Sequence, residues 1–104
     1  MVWKMKKGFA MAYEIRHNEQ DSQYETKVEG QTAYVTDDLE DPKRIVFTHT
    51  IVPDELSGRG IAKELVTHAL GDARSRGLTV VPQCPYVSAF LARHPEDYAD
   101  LLQK

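Results

Sequence analysis

The spacing of the apolar residues changes at Val52-Pro53, and this change constrains the fold more than any other feature of the chain. Before it, the pattern alternates. Tyr24, Thr26 and Val28 are interleaved with Glu25, Lys27 and Glu29, as in a half-buried strand. Gly30-Gln31 suits a tight turn, and Thr32 to Thr36 resumes the strand with Ala33 and Val35 on one face. Asp37 to Pro42 reads as a polar connection. In Arg44 to Val52, Ile45, Phe47, His49 and Ile51 should face one way, and Val46, Thr48, Thr50 and Val52 the other. Apolar residues on both sides predict a central strand covered on both faces.

After Pro53 the period becomes helical. Ile61, Leu65, Val66, Ala69, Leu70 and Ala73 form one stripe, and Gly77 closes the helix just past Arg74 and Arg76. The expected helix starts at Gly60 and runs about 18 residues, with Gly71 inside it for close packing on a sheet. Leu78 to Val81 is a short strand bounded by Pro82, so the two strands flanking the helix should be parallel. Tyr86 to Arg93 and Pro95 to Leu102 read as two short helices. The expected fold class is α+β: a mixed, mostly antiparallel sheet with one long helix and short C-terminal helices.

A chain of 104 residues is expected to form a single domain, 1–104. With 41% hydrophobic and 28% charged residues, it is not a disordered chain. A net charge of −3 argues against a nucleic-acid or anionic-membrane partner. A single cysteine excludes an internal disulfide scaffold. No signal-peptide run follows Met1 to Gly8, so the expectation is a cytoplasmic protein, monomeric or weakly dimeric. His17, His49, His68 and His94 lack the spacing of a zinc motif, and no metal is expected.

The stretch Val52-Pro53-Asp54-Glu55-Leu56-Ser57-Gly58-Arg59-Gly60-Ile61-Ala62 leads from a strand through Gly-x-Gly into a helix. Free amides and the dipole at a helix start suit a phosphate, and glycines let it approach. The same glycines could simply shape a turn. A P-loop would need Lys-Ser or Lys-Thr where Ile61-Ala62 stands. A Rossmann turn would need a small residue where Lys63 stands.

In its context the stretch resembles the acetyl-coenzyme A motif of the GNAT acetyltransferase superfamily, Arg/Gln-x-x-Gly-x-Gly/Ala, here Glu55 to Gly60. Pro82-Gln83-Cys84-Pro85-Tyr86-Val87, Phe90-Leu91 and His94-Pro95-Glu96 resemble the short, stand-alone YidJ-type group within it. The likeness runs from about Tyr24 to Leu102. It implies a GNAT-like acyl-CoA N-acyltransferase fold, in which the strands flanking the helix splay and the pantetheine arm lies between them. It implies a cofactor-binding set of Thr50, Val52, Leu56, Ser57, Gly58, Arg59, Gly60, Ile61 and Ala62. Thr50 and Val52 would act through backbone groups, and the amides from Ser57 to Ala62 would hold the pyrophosphate. Glu55 departs from the pattern's Arg or Gln, and Ser57 stands where relatives are often basic. Arg59 is then the cation left in the loop, which implies modest affinity for the coenzyme.

The activity implied is acetyl-CoA-dependent transfer to an amine acceptor, directly or through Cys84. The alternative is a coenzyme A-binding module without transferase activity. Cys84 could carry the acetyl group as a thiolate, although a free thiol with a pKa of about 8.5 is little ionised. Alternatively it is a small buried hydrophobe. Tyr86 could protonate the departing thiolate, or merely pack. His49 could be a general base or a hydrogen-bonded, partly buried side chain. His68 should face solvent and His94 should cap the helix that begins at Pro95. Asp37, Asp38, Glu40 and Asp41 could attract a cationic acceptor or form a solvated loop. A fuller member of that superfamily has helices between its first strands that close over the acceptor. The hairpin connection here implies an open acceptor site, fit for a large or exposed amine or completed by a partner.

Overall fold

The structure is a computed structural model, and it describes residues 13–102. The Met1 to Gly8 reading lies outside those residues. Five strands form one sheet in chain order: β1 (Arg16–Asn18), β2 (Gln23–Val28), β3 (Gln31–Asp41), β4 (Arg44–Ile51) and β5 (Thr79–Pro82). The first four pair antiparallel, and β5 runs parallel to β4. The long helix α1 (Ile61–Ser75) joins β4 to β5, and α2 (Pro85–Arg93) follows β5.

Three expectations change. First, Asp37 to Asp41 is strand, because β3 continues along β4 and only Pro42-Lys43 turns, with the Lys43 amide bonded to Asp41 Oδ1 at 2.8 Å. The polar residues are not a loop: the backbone ladder holds them, while the side chains from Asp38 to Asp41 are all exposed. Second, Pro95 to Leu102 does not form a helix. The chain makes turns and one 3-10 turn at Ala99–Leu101, and Leu102 bridges to Val80. Arg74 fixes this segment from α1 by bonding Asp100 (2.7 Å) and the Asp97 carbonyl (2.5 Å), with its guanidinium over the Tyr98 ring. His94 consequently caps the end of α2, its amide donating to the Leu91 carbonyl.

Third, the faces of β4 are not those of a regular strand. Asp37 pairs with Phe47 but Thr36 pairs with His49, so Thr48 is an extra residue, a β-bulge. Up to Phe47, the odd-numbered residues of β4 face α1. Beyond the bulge the phase flips: Thr50 lies opposite buried Val35, while His49 and Ile51 are exposed. His49 is therefore neither on the Phe47 face nor partly buried. Strand β1 was not anticipated, since Arg16-His17-Asn18 carries no apolar pattern.

The core is the face α1 lays on the sheet. Ile61, Leu65, Val66, Ala69, Leu70 and Ala73 meet Tyr24, Ala33, Val35, Ile45 and Phe47, and Cys84, Val87, Phe90, Leu91 and Leu101 extend the same cluster. Truncating one such leucine to alanine typically costs about 2–5 kcal/mol. The helix ends as its sequence signals suggested. Leu78 N–H donates to Ala73 O at 2.9 Å and Gly77 N–H to Arg74 O at 3.1 Å, the paired bonds of a Schellman motif. Gly71, expected to pack on the sheet, instead faces outward, with nothing within 4 Å of where a Cβ would stand.

Candidate functional site

The β4–β5 ladder stops at the Phe47–Pro82 pair. Pro82 has no N–H to extend it, and the bulge at Thr48 bends β4 at the same level. Gln83 N–H turns back to Val81 O, Cys84 N–H takes Phe47 O at 2.8 Å, and Pro85 starts α2. β4 runs on to Ile51 without its parallel partner, so a wedge opens between its last residues and α2.

At the mouth of the wedge lies a cleft of about 280 Å³, lined by Val52, the loop before α1, the first turn of α1 and Tyr86. The loop is anchored by Leu56, which is fully buried, and by a 3-10 turn at Asp54–Leu56 in which Ser57 bonds back to Asp54 O through both its amide and its hydroxyl. Gly58 (φ 81°) and Gly60 (φ 75°) then take left-handed conformations that residues with a Cβ adopt at a cost. Together they swing the chain into α1, whose first helical bond is Glu64 N–H to Gly60 O. The amides of Ile61, Ala62 and Lys63 precede that bond and carry the positive end of the helix dipole. Backbone donors, a positive dipole and two glycines, with the Arg59 side chain turned away from the cleft, make an anion cradle.

Seven of the nine expected cofactor residues line this cleft: Val52, Leu56, Ser57, Gly58, Gly60, Ile61 and Ala62. Thr50 and Arg59 do not. The Thr50 hydroxyl sits 3.2 Å from Cys84 Sγ beneath the wedge. The Arg59 guanidinium turns outward to Glu29, with contacts of 2.9 and 3.3 Å, and its carbonyl accepts the Tyr13 hydroxyl at 2.8 Å. Hydrogen bonding to Arg59 holds the Glu29 carboxyl below the usual range. Lys63 lines the cleft instead, a cation that sequence reading passed over. Its signal was available: a residue three positions into a helix stands over the helix mouth.

Of the three catalytic candidates, Tyr86 reaches the cleft and is 39% exposed. Cys84 is 2% exposed, at the N-cap of α2 and packed into the core. His49 lies across β4, on the sheet face away from α1. The structure therefore does not gather the three around one point. Among the described residues, no group of three or more His, Cys, Asp or Glu side chains could hold a metal ion, and no helix is long and apolar enough to cross a membrane.

A polar cluster at the far end of α1 was not foreseen either. The Tyr24 hydroxyl donates to Asp72, and Arg76 reaches both, Asp72 at 3.2 Å and the Tyr24 oxygen at 3.3 Å. His17 stacks on Tyr24 with ring centroids 4.1 Å apart and bonds Asp37 at 3.1 Å. Burial and the Asp72 carboxylate push the Tyr24 phenol well above its ordinary value.

Comparison with known proteins agrees with this geometry. The NMR solution structure of a GCN5-like candidate N-acetyltransferase from Staphylococcus aureus is similar, with a TM-score of 0.68 and 25% identity, over 86% of this chain and 87% of that one. Residues 23–101 match the family model described as GCN5-related N-acetyl-transferase, a span that holds the splayed strands, the Gly-x-Gly turn and α1. The chain thus belongs to the GCN5-related N-acetyltransferase family, acyltransferases that take their acetyl group from acetyl-coenzyme A.

Proposed function

We propose that the chain transfers the acetyl group of acetyl-coenzyme A to an exposed amine on a large acceptor, with the pyrophosphate held at the start of α1 and the thioester in the wedge between β4 and α2. The observation that carries this is the coincidence of the amide cradle, Gly58 to Lys63, with the end of the β4–β5 ladder. The Ser57 amide is already bonded to Asp54 O, so amides from Gly58 to Ala62 and the Lys63 ammonium would bind the pyrophosphate. Backbone groups of Thr50 and Val52, left without a parallel partner by the early end of β5, would bind the pantetheine amides and the thioester carbonyl.

In the direct route the acceptor amine attacks the acetyl carbon, the C–S bond breaks, and the coenzyme leaves as a thiolate. Tyr86, the phenol that lines the cleft, is placed to give that thiolate a proton. The amine must also lose a proton, and His49 is the exposed imidazole on the side of β4 away from α1. A second reading, relay through an acetyl-Cys84 thioester, is favoured by the position of the thiol at the N-cap of α2, beside Thr50. The burial of Cys84 favours the direct route. The narrower YidJ-type assignment rests on the Pro82 to Val87, Phe90-Leu91 and His94-Pro95-Glu96 stretches alone.

Calorimetry with acetyl-coenzyme A, followed by thiol release over a panel of amines and lysine-containing peptides, tests the reading. Saturable heat and amine-dependent release are expected, and absence of both would overturn it. Cys84→Ala is expected to keep acetyl transfer. Loss of transfer, together with a single acetyl adduct on the wild type in intact-mass spectra, would establish the relay instead.

A further inference from the structure

We propose that Glu29 competes with the coenzyme phosphates for Arg59, so that this carboxylate, thirty positions away in the chain, sets the affinity of the cleft. The inference rests on the coenzyme reading above. Arg59 lies between Gly58 and Gly60, at the centre of the anion cradle, yet its side chain does not line the cleft. Glu29, at the turn between β2 and β3, holds both terminal nitrogens of the guanidinium, at 2.9 and 3.3 Å. That two-point grip is the geometry a phosphate would use.

The loop itself does not depend on the pair. Leu56 and the Ser57–Asp54 bonds anchor its first half, and the Tyr13 hydroxyl separately holds the Arg59 carbonyl. The guanidinium can therefore leave Glu29 while the backbone stays in place. Both partners are solvent-exposed, with side chains 40% and 62% accessible, so the pair is weak and exchangeable. A coenzyme phosphate brings more negative charge than one carboxylate, and the exchange runs toward it.

The exchange has two costs for binding. The Arg59–Glu29 pair must be given up, and an unpaired carboxylate is then left close to the phosphates, within the Debye length at physiological salt. From Asp54 to Glu64, the cations are Arg59 and Lys63, against Asp54, Glu55 and Glu64. In so acidic a neighbourhood, how firmly Arg59 is held by Glu29 is a large share of the local electrostatics.

The test is calorimetry of the full chain with acetyl-coenzyme A at low and high salt, for the wild type, Glu29→Gln, Arg59→Gln and the double variant, with thermal unfolding as a control for folding. Glu29→Gln should tighten binding about three- to tenfold at low salt, with a smaller gain at high salt. The gain should be larger with Arg59 present than in the Arg59→Gln background. Unchanged or weaker binding by a folded Glu29→Gln variant would overturn the proposal, because Glu29 would then be a support for the loop. Equal gains in both backgrounds would also overturn it, since they indicate plain repulsion without competition. Failure of the wild type itself to bind acetyl-coenzyme A would remove the coenzyme reading and this inference with it, an outcome distinct from the other two.

Discussion

Asp37 and Asp72 show how one cluster of side chains can pull two like groups in opposite directions. Burial alone would raise the Asp72 carboxyl, but the Tyr24 hydroxyl and Arg76 outweigh it and hold Asp72 below its ordinary value. Asp37 is governed by burial, which keeps it above its ordinary value of 3.8 against the pull of His17 and Arg76. A raised carboxyl means that the ionised form costs the folded state more than the unfolded one. Its favourable contribution is complete below the unfolded value and is lost as pH rises through the folded value. Asp37→Asn keeps an acceptor oxygen for His17 and removes the charge. The variant should therefore gain stability relative to the wild type at pH 7, and the gain should shrink as pH falls toward 3. Thermal unfolding at several pH values measures this. A variant penalty that is largest at neutral pH would show that the ionised carboxylate is net favourable and would contradict the reading.

At the scale of elements, α1 contains one glycine, Gly71, and is N-capped by another, Gly60, and the two should respond oppositely to the same substitution. Gly71 is exposed, in mid-helix, with no atom near the position of a new methyl group. Gly71→Ala should stabilise the protein by about 0.5–1 kcal/mol, a rise of several degrees in Tm for a domain of this size. Gly60 is also free of steric contact, but its φ of 75° is strained for alanine. Gly60→Ala should cost about 1 kcal/mol and place a methyl group in the cradle, weakening acetyl-coenzyme A binding in calorimetry as well. Equal effects at the two positions would mean that helix propensity alone governs both. The same elements show what the sequence could reveal. Alternation marked β2, the first part of β3 and β4, helical spacing marked α1, an apolar run stopped by Pro82 marked β5, and the glycine spacing marked the cradle, because those signals are local. Strand β1 and the end of β3 were hidden because polar residues at a sheet margin look like loops until their pairing partners are known. The bulge at Thr48 leaves no compositional trace: it is a property of how β3 and β4 align, and it alone decides that His49 faces away from α1 while Thr50 reaches Cys84. The outward turn of Arg59 was illegible for the same reason, since Glu29 meets it only through the fold.

Across the whole molecule, α1 separates two centres. Fifteen residues of helix span about 22 Å, with the anion cradle at one end and the Tyr24–Asp72–Arg76 cluster at the other. Substitutions that far apart usually act independently, so the far cluster bears on stability and the near one on binding. On the sheet face away from α1, β1 and β2 are joined by a short turn at 19–22, and His49 and Ile51 stand exposed beyond the bulge. An amine approaching the wedge from that side meets the strand surface itself. A small free amine would gain little contact there, whereas an amine carried on a peptide could lie across the exposed end of β4, at His49 and Ile51, and use the Tyr34–Ile51 pair as an apolar footing. The expected outcome is a kcat/KM at least about tenfold higher for a lysine-containing peptide than for a free polyamine, a difference of about 1.4 kcal/mol in transition-state binding. Thiol-release kinetics on matched peptides and polyamines measure the ratio, with mass spectrometry locating the acetyl group. The Ile51→Ser variant should narrow it by raising KM for the peptide more than for the polyamine. A free polyamine that outcompetes every peptide, with Ile51→Ser indifferent to both, would mean that the acceptor does not lie across the exposed end of β4.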